Sequence, residues 1–225
     1  MKKSLYNYYA LSSTLAVICI LNSIQNTASA SVALLQDNRY VVENGVYTYL
    51  PLSFSVFSNT YQHSSVTTEM MSGSGSGDDY CSYFDGCNSA QSVFDITFRV
   101  DTPQTISLQS TLNTSINNGA YEIADSSFNL TGSSGFAVTG LAQAISSTAE
   151  GDVTYYGSPS LIINQTFELT SGEYRLVFAT NNSGNASSSN WSFSASFTPT
   201  PVPIPSAFWL LISGTGLLLN FAKRK

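Results

Sequence analysis

Positively charged side chains are almost missing from the middle of this chain. All 14 acidic residues lie between residues 31 and 198, where they face only three cations, and the net charge there is about −11. The three cations are Arg39, Arg99 and Arg175, whereas the four lysines stand at positions 2, 3, 223 and 225. A surface of this charge repels nucleic acid and anionic lipid, because binding to either depends on clustered basic residues. The composition therefore excludes a nucleic-acid-binding function.

Residues that carry out catalysis are also scarce. His63 is the only histidine, and there is no Gly-x-Ser-x-Gly turn, phosphate-binding loop or haem motif. The acidic residues Asp125, Glu150 and Asp152 have no context that marks them as the carboxylate pair of a glycosidase. We therefore expect a non-enzymatic protein. An extracellular hydrolase that uses His63 is the least favoured hypothesis.

The N-terminus has the pattern of a secretory signal peptide. Lys2 and Lys3 supply the positive region, residues 11–21 the apolar core, and Ala28 and Ala30 the small residues of a cleavage site. Signal peptidase would then release a mature chain that begins at Ser31. An uncleaved membrane helix is the main alternative.

Cysteine is rare, with three residues in the whole chain. Cys19 lies in the apolar core of the signal, and a lipoprotein interpretation is disfavoured because the bulky Ile18 precedes it. Cys81 and Cys87 are the other two, and an even pair in an exported protein favours a disulfide. A Zn²⁺ site would need more ligands than this pair, and His63 is the only histidine.

The C-terminus combines a proline-rich segment, an apolar run and a basic end. Prolines stand at positions 199, 201, 203 and 205, residues 207–222 are almost entirely apolar, and Lys223, Arg224 and Lys225 follow. An apolar helix of 16 residues is about 24 Å long, and residues 204–206 extend it toward the length of a bilayer core. We predict a transmembrane helix with its basic end in the cytoplasm.

This C-terminal pattern resembles the PEP-CTERM sorting signal. The resemblance rests on the short motif, on Trp209 and the two glycines of the apolar run, and on the basic stop. The motif residues are Val202, Pro203, Ile204 and Pro205. The resemblance implies an exopolysaccharide-producing Gram-negative host and an exosortase that removes the tail at the inner membrane. Ile204 replaces the central Glu of the family motif, which bears on the exosortase subtype and the cleavage position. No Leu-Pro-x-Thr-Gly motif is present, so a sortase of the Gram-positive type is not expected.

The segment between the two signals has the alternation of β-strands. Apolar residues occupy every second position from Phe94 to Val100 and from Trp191 to Phe197. Asn44-Gly45, between residues 39–42 and 46–50, predicts a two-residue hairpin turn. We predict an all-β fold, a single antiparallel Greek-key β-sandwich of jelly-roll type over residues 31–198. It would lie between a signal peptide (1–30) and a sorting segment (199–225) of proline-rich linker, transmembrane helix and basic stop.

Two local patterns refine this prediction. Leu169, Gly172 and Tyr174 have the spacing of a tyrosine corner, in which the tyrosine hydroxyl bonds to backbone a few residues upstream. An ordinary turn before a strand is an equally good interpretation. The Gly/Ser-rich residues 72–77 predict a flexible loop.

Two binding hypotheses follow from side chains near this loop and elsewhere. Asp78, Asp79 and Asp85 offer oxygen ligands to Ca²⁺, although a solvated acidic loop is the preferred interpretation. Exposed aromatic residues would allow a carbohydrate-binding module. The candidates for that role are Tyr80, Tyr83, Phe84, Tyr155 and Tyr156.

We therefore expect an exported, non-enzymatic protein of the cell surface or extracellular matrix. An exosortase would process it, and its structural or adhesive role would be linked to exopolysaccharide or biofilm. The alternative is a carbohydrate-binding module.

Overall fold

The computed structural model describes residues 32–49, 54–56, 60–82, 86–88, 90–116, 122–149, 152–183 and 186–200. The predicted signal cleavage site (Ala28, Ala30, Ser31), the sorting motif (residues 202–205) and the basic stop (residues 223–225) lie outside these residues. Within the described ranges no helix is long and apolar enough to cross a membrane.

The regular elements of the described residues are 15 β-strands. In chain order they are β1 (Val32–Asp37), β2 (Tyr40–Glu43), β3 (Val46–Tyr49), β4 (Phe54–Val56), β5 (Thr60–Val66), β6 (Met70–Ser82), β7 (Gly86–Asn88), β8 (Ala90–Val100), β9 (Gln104–Ile116), β10 (Ile123–Gly132), β11 (Ala137–Ala149), β12 (Asp152–Ser158), β13 (Ser160–Leu169), β14 (Gly172–Ser183) and β15 (Ala186–Pro199). The prediction of an all-β fold is confirmed.

The strands form two antiparallel sheets. The larger sheet has eight strands in the order β12-β11-β10-β14-β8-β2-β3, with β1 paired to the C-terminal half of β8. The smaller sheet has seven strands in the order β13-β9-β15-β6-β5-β4, with β7 paired to β6. The long strands β8, β14, β9 and β15 occupy the middle of the sheets, so each sheet offers a broad face to the other.

The core lies between these two faces and is rich in aromatic rings. The predicted alternation along β8 and β15 is observed, because Phe94, Phe98, Trp191 and Phe197 are all buried. The rings of Phe94 on β8 and Phe193 on β15 meet edge to face at 4.7 Å between centroids, which joins the two sheets directly. Burial of each such side chain contributes roughly 1.5–3 kcal/mol.

The hairpin predicted from Asn44-Gly45 connects β2 to β3. Both turn residues have positive φ, 54° at Asn44 and 76° at Gly45, as a two-residue turn of type I′ requires. The turn sets the register of the pair, so that Glu43 lies opposite Val46 and Tyr40 lies opposite Tyr49. This register brings the tyrosines of the hairpin together.

The prediction of a flexible loop at residues 72–77 is wrong. These residues belong to β6, which is paired on one side with β5 and on the other with β15. Gly75 faces the core, and a Cβ there would lie 2.6 Å from Cζ2 of Trp191. Gly73 and Gly75 therefore leave room for the indole ring between the sheets, and Gly77 leaves room for the Ala90 carbonyl.

The tyrosine-corner segment joins β13 to β14. The Tyr174 hydroxyl donates a hydrogen bond to the carbonyl of Thr170, four residues upstream, at 3.0 Å. Leu169 is buried beside it, and the Tyr174 ring stacks on Phe98 with 5.8 Å between centroids. The corner thus fixes the crossing from the smaller sheet to the larger one.

Candidate functional site

The structure brings Cys81 and Cys87 into register. Cys81 on β6 lies opposite Cys87 on β7 in an antiparallel pair. Directly opposite residues in such a pair have Cα atoms about 4.5–5.5 Å apart, which lies within the range of disulfides. The backbone therefore permits the predicted disulfide, and the bond itself stays a prediction.

The proposed Ca²⁺ ligands are not brought together. Asp78 and Asp79 are consecutive on β6, so their side chains point to opposite faces of the sheet. Asp78 is exposed, whereas Asp79 is buried and accepts a hydrogen bond from the backbone N–H of Ala90 at 2.7 Å. The idea that these two carboxylates share one ion is therefore wrong. Asp85 lies outside the described residues, which themselves hold no metal-binding group of three or more His, Cys, Asp or Glu side chains.

The other sequence candidates contribute no common site in the described residues. His63 lies on β5 with its side chain exposed. The backbones of Tyr155 and Tyr156 belong to the edge strand β12, and that of Tyr80 belongs to β6. The side chains of these tyrosines, and all of Tyr83 and Phe84, are outside the described part.

A different aromatic group, the tyrosine cluster, stands on the outer face of the larger sheet. It consists of Tyr40 on β2 and Tyr47 and Tyr49 on β3. The ring of Tyr40 lies 5.7 Å from each of the other two, and those two stack at 6.3 Å with 19° between their planes. Tyr47 is 57% exposed and Tyr49 is 65% exposed. Three rings in mutual contact thus form an apolar platform that faces solvent and adds nothing to the core.

The hairpin register explains why these three rings meet. Tyr40 and Tyr49 are directly opposite each other across β2 and β3. Tyr47 is two residues before Tyr49 and therefore points to the same face. Val42, opposite Tyr47 on that face, is buried. Strand geometry therefore places the three rings on one face of the sheet.

An ion pair lies beside the tyrosine cluster. Arg175 on β14 donates to both carboxylate oxygens of Asp95 on β8, at 2.8 and 2.7 Å. The Asp95 side chain is 8% exposed, whereas that of Arg175 is 58% exposed. The hydrogen bond to Asp95 raises the pKa of the guanidinium. The pair therefore offers polar N–H groups at the edge of the cluster without adding net charge.

The phenol group of Tyr40 stays neutral. Burial, followed by the neighbouring Tyr47 and the Asp95 carboxylate, raises the pKa of Tyr40 above its ordinary value of 10.0. A neutral phenol can both donate and accept a hydrogen bond. The cluster thus combines apolar ring faces with hydroxyl groups that suit a polyhydroxylated ligand.

Polar side chains continue from the cluster across the sheet in what we name the amide row. Its members are Gln91 on β8, Asn181 on β14, Asp125 on β10 and Gln143 on β11. Val42 on β2 lies opposite both Tyr47 and Gln91, so the row begins beside the tyrosine cluster. Further along the sheet, Asn181 lies opposite Asp125, and Asp125 lies opposite Gln143.

Hydrogen bonds join the members of the amide row in pairs. The Gln91 amide donates to Asn181 Oδ1 at 3.2 Å, and the Gln143 amide donates to Asp125 Oδ1 at 2.9 Å. With six strands spaced about 4.8 Å apart, the distance from Tyr47 to Gln143 is about 24 Å. The cluster and the row together make an extended face of rings, amides and one carboxylate.

The tyrosine cluster was missed by reasoning from the sequence, although a signal for it was present. A two-residue Asn-Gly turn fixes the pairing of the residues around it, and this pairing places residue 40 opposite residue 49. The aromatic residues that a predicted hairpin places on one face are therefore the better sequence candidates for a sugar-binding group.

This chain has little similarity to known proteins. No protein-family model and no curated protein matches the chain. Among solved structures, that of the infectious bursal disease virus Gx strain is similar over 66% of this chain and 33% of its own, with 19% identity and a TM-score of 0.23. The VP2 subviral particle of the same virus is similar over 73% of this chain and 49% of its own, with 12% identity and a TM-score of 0.17. The chain thus spans at most about half the length of these proteins, and TM-scores this low carry no argument about function.

Proposed function

We propose that this protein is an exported bacterial surface or matrix protein that binds polysaccharide through the tyrosine cluster. The observation that carries the proposal is the mutual contact of three tyrosine rings, of which Tyr47 and Tyr49 remain largely exposed. Sugar rings present C–H groups on their faces and hydroxyls on their edges. Aromatic faces bind the former by stacking, while phenol hydroxyls and the Arg175 N–H groups bind the latter.

Export and sorting complete the proposal. Signal peptidase removes residues 1–30, the C-terminal segment holds the chain in the inner membrane, and an exosortase then acts near the motif at residues 202–205. The exported domain is a Greek-key sandwich, and the return of β14 to a place between β10 and β8 supports this topology. The last strand, β15, ends at Pro199, which supports a domain boundary at the start of the proline-rich linker.

The binding proposal is tested with the full chain, purified in detergent, against a panel of soluble polysaccharides in affinity electrophoresis. We expect at least one polysaccharide to retard the protein and the double variant Tyr47→Ala/Tyr49→Ala to weaken that binding about tenfold or more. Tyr47→Phe keeps the stacking face of the ring and removes one hydroxyl, so it should weaken binding less than the double variant does.

The matched control is Ile162→Ala. Ile162 is 74% exposed on β13 of the other sheet, so its removal deletes an exposed apolar side chain far from the tyrosine cluster. Equal losses in the control and the double variant would refute a specific role for the tyrosines. Failure to bind any polysaccharide of the panel would overturn the proposal.

Sorting is tested by intact mass spectrometry of the protein from its native host. We expect a mature chain that begins at Ser31 and ends near Val202. A mature chain that still ends at Lys225 would contradict exosortase cleavage and indicate a retained membrane anchor.

A further inference from the structure

We infer that the ligand of the tyrosine cluster and the amide row is a polysaccharide that carries free amino groups. The inference rests on the proposed function, and it adds the chemical class of the ligand and the extent of its binding face. Charge complementarity, the faces of the tyrosine rings and the length of the row carry the argument.

The exported segment has no arginine left over for an anionic ligand. Each of its three arginines is paired with an aspartate within the described residues: Arg39 with Asp37 at 2.6 Å, Arg99 with Asp101 at 2.8 Å, and Arg175 with Asp95 at 2.7 Å. The other acidic residues give the segment its net charge of about −11. A polymer of uronic acids or sulfated sugars would therefore meet repulsion and no free counter-charge.

The same surface attracts ammonium groups. The negative face of a tyrosine ring binds a cation directly, and the tyrosine cluster exposes two such rings, Tyr47 and Tyr49. Asp125 lies further along the row and is only partly buried. A carboxylate has about four acceptor sites, and the Gln143 amide occupies one of those of Asp125. Asp125 can therefore accept further hydrogen bonds from an ammonium group of the ligand.

The length of the face indicates a polymer. The distance of about 24 Å from Tyr47 to Gln143 exceeds any single sugar residue. Between these ends the sheet presents small or amide side chains at Ala179, Asn181 and Ser127, which lets an extended chain lie close to the strands. Gln91 and Gln143 supply amide groups that pair with hydroxyl or acetamido groups of the sugar units between the amines.

The inference is tested by calorimetry with the full chain and three oligosaccharides of equal length: a glucosamine oligomer, an N-acetylglucosamine oligomer and a galacturonate oligomer. We expect the glucosamine oligomer to bind about tenfold or more tighter than its acetylated counterpart, and to weaken as the ionic strength rises. The galacturonate oligomer should not bind.

Two variants separate specific binding from general attraction to an acidic protein. Asp125→Asn keeps an oxygen for the Gln143 amide and removes the charge, so it should weaken glucosamine binding several-fold more than it weakens N-acetylglucosamine binding. Tyr47→Ala/Tyr49→Ala should weaken both. Glucosamine binding that is indifferent to the tyrosine variant would overturn the inference, because it would reflect net charge alone.

The outcomes also distinguish this inference from the proposed function. Equal or tighter binding of the acetylated oligomer, or binding of galacturonate, would refute the requirement for amino groups while polysaccharide binding stands. Absence of binding by all three oligomers and by the wider panel would overturn both.

Discussion

Gly75 of β6 lies directly opposite Trp191 of β15, and the indole ring and the Ser92 hydroxyl fill the space that a side chain at residue 75 would need. The indole N–H points to the other sheet and donates a hydrogen bond to the carbonyl of Ser92 at 3.1 Å. One glycine thus permits a contact that ties the smaller sheet to the larger one. The Gly/Ser composition of β6 is a packing requirement of the core.

Gly75→Ala should therefore destabilise the fold. The new methyl group would overlap the buried indole of Trp191, and overpacking of this kind costs about 1–3 kcal/mol. Urea unfolding of the full chain in detergent measures the loss as a lower midpoint at constant slope. The neighbouring Ser76→Ala is the control because Ser76 points to the outer face, and it should shift stability by less than about 0.5 kcal/mol. A Gly75→Ala variant that unfolds at the same urea concentration as the wild type would show that residue 75 tolerates a side chain.

Tyr174→Phe tests the hydrogen bond of the tyrosine corner. The change removes the hydroxyl that donates to the Thr170 carbonyl and leaves the buried ring in place. Loss of one such bond should cost about 0.5–1.5 kcal/mol, measured by the same urea titration. Tyr47→Phe removes a hydroxyl from an exposed ring and should have almost no effect on stability. A Tyr174→Phe variant as stable as the wild type would show that the hydrogen bond to the Thr170 carbonyl adds nothing to stability.

Parts of this fold could be predicted from the sequence because they depend on local pattern. Alternation along residues 94–100 and 191–197 reveals which side chains face the core, since strand periodicity requires no knowledge of the partner strand. The Asn44-Gly45 turn likewise specifies its own hairpin. Strand β6 was misread because alternating Gly and Ser carry no apolar signal. Gly73 and Gly75 make room for Trp191, which is more than a hundred residues away in the chain.

One part of the candidate site can be predicted from local sequence, and the other part cannot. The three tyrosines of the cluster belong to one hairpin, so their proximity follows from local register. The amide row combines β8, β14, β10 and β11, whose order in the sheet is not their order in the chain. No spacing of Gln91, Asn181 and Gln143 along the sequence reveals that they share a face. Long-range strand order had to be known first.

Asp79 should make the stability of the protein depend on pH. Burial raises the pKa of its carboxyl from 3.8 to about 6, against the opposing effect of the Ala90 hydrogen bond. The folded state therefore retains this proton at pH values where the unfolded state has lost it. Stability should fall as the pH rises from about 4 to about 6 and stay lower above that window, because a charged carboxylate is then buried.

Asp79→Asn should remove this dependence. The amide oxygen can still accept the Ala90 N–H, and no charge has to be buried. We expect the variant to be more stable than the wild type by about 1–2 kcal/mol at pH 7, after allowance for solvent screening, and equal to it near pH 4. Urea midpoints at several pH values measure the difference. A gap between the two proteins that is the same at pH 4 and pH 7 would contradict a role for the proton.

Cys81 and Cys87 should form a disulfide. The β6–β7 register sets the two residues opposite each other, and a bond there would close a loop of five residues. The protein from the native host should resist thiol alkylation until it is reduced, and should then take up two labels at these positions. A bond across so short a loop should contribute about 2 kcal/mol, which the double variant Cys81→Ser/Cys87→Ser would lose. Immediate alkylation of both cysteines in the unreduced protein would refute the pairing. The control compares the wild type with this double variant under reducing conditions. There the two proteins should unfold at nearly the same urea concentration, because neither has the bond.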